Sequence, residues 1–243
     1  MAGSKATARL LGADELQKLM RDPLLRSTGV LNALFHSGAV VTEADRDRAF
    51  YGEINNRLST AKKSAVRDSV FLNAQNKQTT RRLVAPLRTM GVPAAAVVDF
   101  DIFKGNDLRD LLADCSVPEA VRQGIGQLRG QVEKYFDADK GAMKTAGITA
   151  LDGKQREACQ KLLDDLASYG IFVVPSGEVE TWLASIGAGA SKGNWLPTIF
   201  EAMKSDPADP DYVQPAEGDV WQFVSSIGEW IADPDRQGMP KEG

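Results

Sequence analysis

The sequence predicts an α/β fold, a Rossmann-like, mostly parallel four-stranded sheet flanked by helices. Three observations predict it. Short apolar runs at 39–41, 69–72, 93–98 and 170–174 alternate with stretches of helical patterning. The run at 93–98 is continuously apolar, as a strand covered on both faces requires. The 243 residues are 43% hydrophobic and 26% charged, enough to bury a core on both sides of one sheet.

Taken in order, residues 6–35 read as helical. Leu10, Leu11, Leu16, Leu19, Met20, Leu24, Leu25, Val30, Leu31, Leu34 and Phe35 fall near a 3.6-residue spacing, with Asp14 a candidate cap. Residues 1–35 are therefore expected to form a helical connector. Ala39-Val40-Val41 is the first strand, ending in Thr42-Glu43. A helix over 45–58 follows, with Phe50, Tyr51 and Ile54 inward. Ser69 to Leu72 is the second strand, and Thr79 to Met90 a helix that Gly91 ends. Pro93 to Val98 is the third strand, halting at Asp99-Phe100-Asp101. Residues 105–168 carry helix formers and acids without a strand signal, and read as a helical insertion. Gly170 to Val174 is the fourth strand. Helices are expected over 178–186, 194–204 and 219–231, and Trp182, Trp195, Trp221 and Trp230 within them are assigned to the core. The main domain spans 36–232, and the Pro/Gly-rich, charged segment 233–243 is expected to be a flexible tail.

Composition narrows the chemistry. One histidine, His36, leaves no basis for His-ligated zinc or a Ser-His triad, and two distant cysteines, Cys115 and Cys159, give no disulfide framework. No apolar run approaches the roughly 20 residues that span a bilayer, and the first residues lack a signal-peptide core. A cytoplasmic location without membrane partners is expected. The net charge of −4 is uneven: residues 1–90 hold 15 basic and 8 acidic residues, residues 91–243 hold 14 and 25. Between Arg57 and Arg88 stand eight basic residues and one acid, Asp68. Lys62, Lys63, Arg67, Lys77, Arg81 and Arg82 are the candidate nucleic-acid contacts. A solvated helix surface accounts for the same charges equally well.

In a parallel sheet, ligands sit beyond the carboxyl ends of the strands. The first strand ends at Glu43, the third at Asp99 and Asp101, the fourth near Glu178 and Glu180. If strand geometry persists, Asp99 and Asp101 point to one side. Crowded carboxylates repel, and a divalent cation relieves the conflict. Oxygen-only ligands select Mg²⁺, Mn²⁺ or Ca²⁺ over zinc, and carboxylate-held metal suggests phosphoryl chemistry. Taken singly, each acid also reads as a capping or loop residue.

These residues resemble a family. Val40-Val41-Thr42-Glu43-Ala44-Asp45-Arg46-Asp47 resembles the first Toprim motif, and Val97-Val98-Asp99-Phe100-Asp101 its DxD motif. Phe71-Leu72-Asn73-Ala74-Gln75-Asn76-Lys77, the helix after it and GVPAAAVVDFDIF are similar to the nuclease half of OLD-family (overcoming lysogenization defect) ATP-dependent endonucleases. Ser176-Gly177-Glu178-Val179-Glu180-Thr181-Trp182-Leu183 resembles their late acidic motif, with Lys192 where that family tends to place a lysine. The resemblance covers about residues 30 to 232. It implies a Toprim nuclease domain cleaving DNA, or RNA, with two Mg²⁺ or Mn²⁺ ions, Ca²⁺ being a non-catalytic occupant. It implies that Glu43 and Lys192 are catalytic and that Glu43, Asp47, Asp99, Asp101, Ser176, Glu178 and Glu180 bind metal. It also implies an ABC-type ATPase partner, in cis or in trans, and a setting in phage defence.

The chain departs from the family at Ala44, where Gly is common, in the length of segment 105–168, and in the lysine, since Lys204 or Lys77 would serve equally. It has no G-x-x-x-x-G-K-[ST] loop. The chain thus corresponds to the nuclease portion alone, excised or stand-alone, and MAGS reads as a cloning scar. Three other readings compete. A haloacid-dehalogenase-type phosphatase also follows a strand with DxD, but Ile102-Phe103 departs from its continuation. A Toprim primase, topoisomerase or RNA maturase shares the acids, though no tyrosine here has a nucleophile's context. A non-catalytic DNA-binding module would not need them all.

Overall fold

The structure, a computed structural model, describes residues 12–27, 29–187 and 192–240. Its chain order is α1 (Ala13–Arg21), α2 (Pro23–Ser27), β1 (Gly38–Thr42), α3 (Asp45–Thr60), β2 (Ser69–Asn73), α4 (Lys77–Thr89), β3 (Ala94–Val98), α5 (Asp107–Asp114), α6 (Glu119–Tyr135), α7 (Ala142–Thr145), α8 (Gly153–Ser168), β4 (Ile171–Val173), α9 (Ala184–Gly187), α10 (Trp195–Met203) and α11 (Asp219–Ala232). The four strands form one all-parallel sheet in the order β2-β1-β3-β4, flanked by helices.

Alternate residues of each buried strand serve opposite cores. Ala39 and Val41 of β1, with Ala94, Ala96 and Val98 of β3, pack under α4, α5, α6 and α8. Val40, Ala95 and Val97 pack against Phe50, Tyr51 and Ile54 of α3 and against α10 and α11. Both faces are therefore apolar, which is why β1 and β3 are buried at every position. The step from β1 to β2 runs one way across the sheet and the steps from β2 to β3 to β4 run the other way. Right-handed crossovers then send α3 to one face and α4 and α8 to the other. All four tryptophans lie buried in the α3 face.

Several local expectations need correction. The helical stretch over 6–35 is broken into α1, α2 and a 3₁₀ turn at Val30–Phe35. Asp22 is extended, as a residue before proline prefers. Gly12, not Asp14, is the N-cap of α1, and Leu10 and Leu11 lie outside the described residues. The helix over 178–186 is a 3₁₀ turn (Val179–Thr181) and the short α9, separated by Leu183 at φ +50. The segment 105–168, by contrast, is helical and without a strand, as expected. Its helices share the core beneath the sheet, and α8 is the crossover helix from β3 to β4.

The charged tail does not run free over 233–240. Gly238 is buried, and its carbonyl accepts from Nη1 of the buried Arg88 at 2.8 Å. Arg88 also donates to the carbonyls of Ala94, Cys115, Tyr169 and Gly170 and lies over the Trp230 ring. Among the described residues, no helix is long and apolar enough to cross a membrane.

Candidate active site

β1 and β3 are neighbours, and the chain leaves their carboxyl ends in opposite directions. Glu43 and Asp99 stand at this switch point, where sheets of this kind are expected to form a ligand crevice. Each follows its strand by one residue, and the Asp99 N–H donates to Glu43 Oε1 at 3.1 Å. Neighbouring protein encloses most of both carboxyls. That burial pushes Glu43 up to about 7, with the charges of Asp101 and Asp47 adding to it against the Asp99 N–H. Burial, then the charges of Glu43, Asp47, Glu178 and Asp101, pushes Asp99 to about 8. Ala44 is extended at φ −133, ψ 163, so this turn has no need of glycine.

Asp101 does not continue strand geometry. The backbone turns into 3₁₀ at Phe100–Phe103, and the Phe100 N–H donates to the Gly177 carbonyl at 2.8 Å. The Asp101 carboxylate meets two lysines, Lys77 Nζ at 3.6 Å from Oδ1 and Lys144 Nζ at 3.2 Å from Oδ2. Glu178 is clasped in the same way, by Lys144 at 3.0 Å from Oε1 and Lys192 at 2.7 Å from Oε2. Burial works to raise Glu178, but the two ammonium groups outweigh it and hold it below its ordinary value. Lys77, Asp101, Lys144, Glu178 and Lys192 thus form a rim of alternating charge.

Asp47 and Glu180 share a third environment. Arg46 Nη1 lies 2.8 Å from Glu180 Oε1 and its Nε lies 3.5 Å from Asp47 Oδ1, in both cases without hydrogen-bond alignment. Asp47 Oδ2 accepts from the Ala44 N–H at 3.0 Å, anchoring the first turn of α3. Burial raises the Asp47 carboxyl all the same. Asp47 Oδ1 and both Glu180 oxygens are buried without a hydrogen-bond partner. Ser176 Oγ sits 2.6 Å from Thr181 Oγ1, so its hydroxyl is engaged within its own loop.

Of the nucleic-acid candidates, only Lys77 reaches this edge of the sheet. Asn76 caps α4 through the Thr79 N–H, which starts the helix at Lys77, two residues earlier than the sequence reading. Lys62, Lys63 and Arg67 follow α3, whose 16 residues run ~24 Å back from the crevice. They lie at the amino edge, and Lys63 donates to the Pro215 carbonyl. Arg81 pairs with Asp114, and Arg82 with Asp22. Arg57 and Arg88 of the same stretch are buried and bound to carbonyl groups. The basic run in the sequence is therefore not one basic face. Lys204, the alternative lysine, is a turn residue whose carbonyl accepts from Arg57 Nη2.

Two groups at the site are not among the candidate site residues of the sequence, although Tyr51 is expected to face inward. Lys144 comes from the helical insertion. Gly147 and Gly177 make its approach possible, because a Cβ on Gly147 would stand 2.1 Å from the Pro175 carbonyl oxygen and one on Gly177 2.1 Å from that of Lys144. The Ile148 N–H donates to the same Pro175 carbonyl at 2.7 Å. The two glycines were the available signal, but nothing local linked them. The buried Tyr51 hydroxyl, which accepts from Trp182 Nε1 at 2.9 Å, ties α3 to the loop of Glu178 and Glu180.

No family model, curated protein or solved structure matches this chain. What the site can hold is therefore judged on its own residues. Among the described residues no three His, Cys, Asp or Glu stand as a group that could hold a metal ion. The donor chemistry nevertheless suits a hard divalent cation: all donors are carboxylate oxygens, the central pair is held by burial in a state that favours the proton, and Asp47 Oδ1 and both Glu180 oxygens, beside Arg46, are buried without a hydrogen bond. The four cations Arg46, Lys77, Lys144 and Lys192 pair with Asp47, Asp101, Asp107, Glu178 and Glu180, and none of these ion pairs includes Glu43 or Asp99.

Proposed function

We propose that this chain is a divalent-cation-dependent nuclease module of the Toprim type, similar to the nuclease half of OLD-family endonucleases. One observation carries the reading: Glu43 and Asp99 meet at the switch point through the Asp99 N–H, their pKa values are lifted to about 7 and 8, and among the described residues no lysine or arginine is bonded to either. Buried acids with displaced pKa values in a crevice mark functional sites. Glu43 and Asp99 would hold the ion, Mg²⁺ or Mn²⁺, with Asp47 or Asp101 drawn in to complete it. Bound there, the ion would supply charge stabilisation on a phosphodiester and acidify an attached water.

The chain's own cations then have distinct tasks. Lys77 and Lys192 stand on opposite sides of the rim, where both meet the charge of an incoming phosphate. Arg46 holds Asp47 and Glu180 against the wall of the crevice. DNA, or RNA, as substrate, an ABC-type ATPase as partner and a role in phage defence belong to the same proposal.

The test is plasmid nicking with Mg²⁺ or Mn²⁺, comparing wild type with Asp99→Ala and Glu43→Ala. Loss of nicking in both, with unchanged circular dichroism, supports the reading, and full activity in either removes that residue from it. The lysine-compensated rim favours a second reading, in which the acids and lysines only fasten the loops in a non-catalytic module. In that case no divalent ion changes the melting temperature, and wild type does not nick.

A further inference from the structure

Lys144 is the one rim cation that touches two acids from different strand ends, Asp101 after β3 and Glu178 after β4. It is about half exposed, whereas the side chains of Asp101 and Glu178 are 14% and 12% exposed. It does not arrive there on a flexible arm. The segment 142–150 carries it, and that segment is latched to the 175–177 turn by the Ile148 N–H to Pro175 bond and by backbone contacts that admit no side chain at Gly147 or Gly177. An ammonium ion is thus delivered, at hydrogen-bond distance, to the carboxylates that would otherwise be drawn toward a metal.

We propose that Lys144 competes with the divalent ion for Asp101 and Glu178, so that the helical insertion sets how tightly the crevice holds its metal. This rests on the reading of the crevice as a cation site. An ammonium and a divalent cation are both attracted to the same two acids, and each repels the other across a few ångströms. While Lys144 is bound, Asp101 and Glu178 are satisfied and only the Glu43–Asp99 pair calls for the ion. When Lys144 is displaced, two further carboxylates become available and the freed ammonium is left beside the bound phosphate. Binding of metal and movement of the insertion are then linked.

The experiment is a Mn²⁺ titration of the chelator-stripped, full-length protein, followed by the electron paramagnetic resonance of free Mn²⁺. The variants are Lys144→Met, Lys144→Arg and Gly147→Ala. Lys144→Met keeps the length and removes the charge, and it is expected to bind Mn²⁺ about tenfold more tightly, the scale of one charge at ~5 Å in a partly screened site. Lys144→Arg should bind as wild type does. Gly147→Ala, which detaches the latch without touching the lysine, should shift affinity in the same direction as Lys144→Met. Unchanged or weaker binding by a folded Lys144→Met overturns the competition. The Asp99→Ala control separates the two ideas. If wild type binds Mn²⁺ and Asp99→Ala binds it equally, the crevice is not the ion site and the reading beneath the proposal fails. If Asp99→Ala loses binding while Lys144→Met does not gain it, only the competition fails. Absence of Mn²⁺ binding in wild type and Lys144→Met alike overturns both.

Discussion

Replacing Glu43 with Gln is expected to stabilise the metal-free protein at alkaline pH while removing its activity. In the folded chain the Glu43 carboxyl is raised from 4.5 to about 7. The folded state therefore holds this proton more tightly than the unfolded state does. The stability it contributes is fully present below the unfolded value and is lost as pH rises through the folded one. At ~1.36 kcal/mol per unit, the displacement corresponds to roughly 3 kcal/mol at about pH 8. Residual solvent access and titration shared with Asp99 reduce this to roughly 1–2 kcal/mol. In a chain of this length that is about 3–6 °C in Tm. Gln keeps the volume and an Oε1 acceptor for the Asp99 N–H, now 3.1 Å away, so little is lost in exchange. The assay is a thermal melt with chelator at about pH 4 and about pH 8, then with Mn²⁺ added. At the lower pH the two proteins should melt together. At the higher pH the variant should melt above wild type, and Mn²⁺ should raise only wild type, since a ligand stabilises the state that binds it. A variant that melts at or below wild type at about pH 8 in chelator would refute the burial argument.

Asp99→Asn should behave similarly in the melt and lower the nicking rate at least ~100-fold, read in a gel assay at saturating Mn²⁺. Lys62→Glu with Arg67→Glu should leave the KM for plasmid within about twofold, because both residues lie at the amino edge of the sheet; a salt-sensitive, tenfold rise would restore the basic run as a substrate contact. Arg88→Ala should cost about 3–5 kcal/mol in urea unfolding, since it removes a donor from five carbonyl groups, four of them buried, of which Gly170 alone is seen to keep a second donor, the Ala96 N–H. A loss below about 1 kcal/mol would mean that those carbonyls find other partners.

The sheet was legible because Ala39-Val40-Val41 and Pro93 to Val98 carry a signal that periodicity can read: unbroken apolarity ending in acid. The meeting of Glu43 and Asp99 follows from strand order alone once the crossovers are right-handed. Three things were out of reach of such reasoning. The direction of Asp101 depends on a 3₁₀ turn set by a hydrogen bond to Gly177, 76 residues away in sequence. The arrival of Lys144 depends on two glycines, Gly147 and Gly177, that mean nothing until they touch. The basic run between Arg57 and Arg88 looked like one surface because charge counts along a chain do not record that α3 carries its end to the far side of the sheet, or that Arg57 and Arg88 point inward.

Arg88 also has a bearing on how the chain matures. Its guanidinium is withdrawn from water with only uncharged oxygen atoms around it, and one of those oxygens belongs to Gly238. Until a growing polypeptide has been extended that far, desolvating this cation leaves it one acceptor short, so the lower rim of the sheet has reason to stay loose until synthesis has passed Gly238. Shortened versions that stop at the end of the last helix, at Ala232, would carry the same defect permanently.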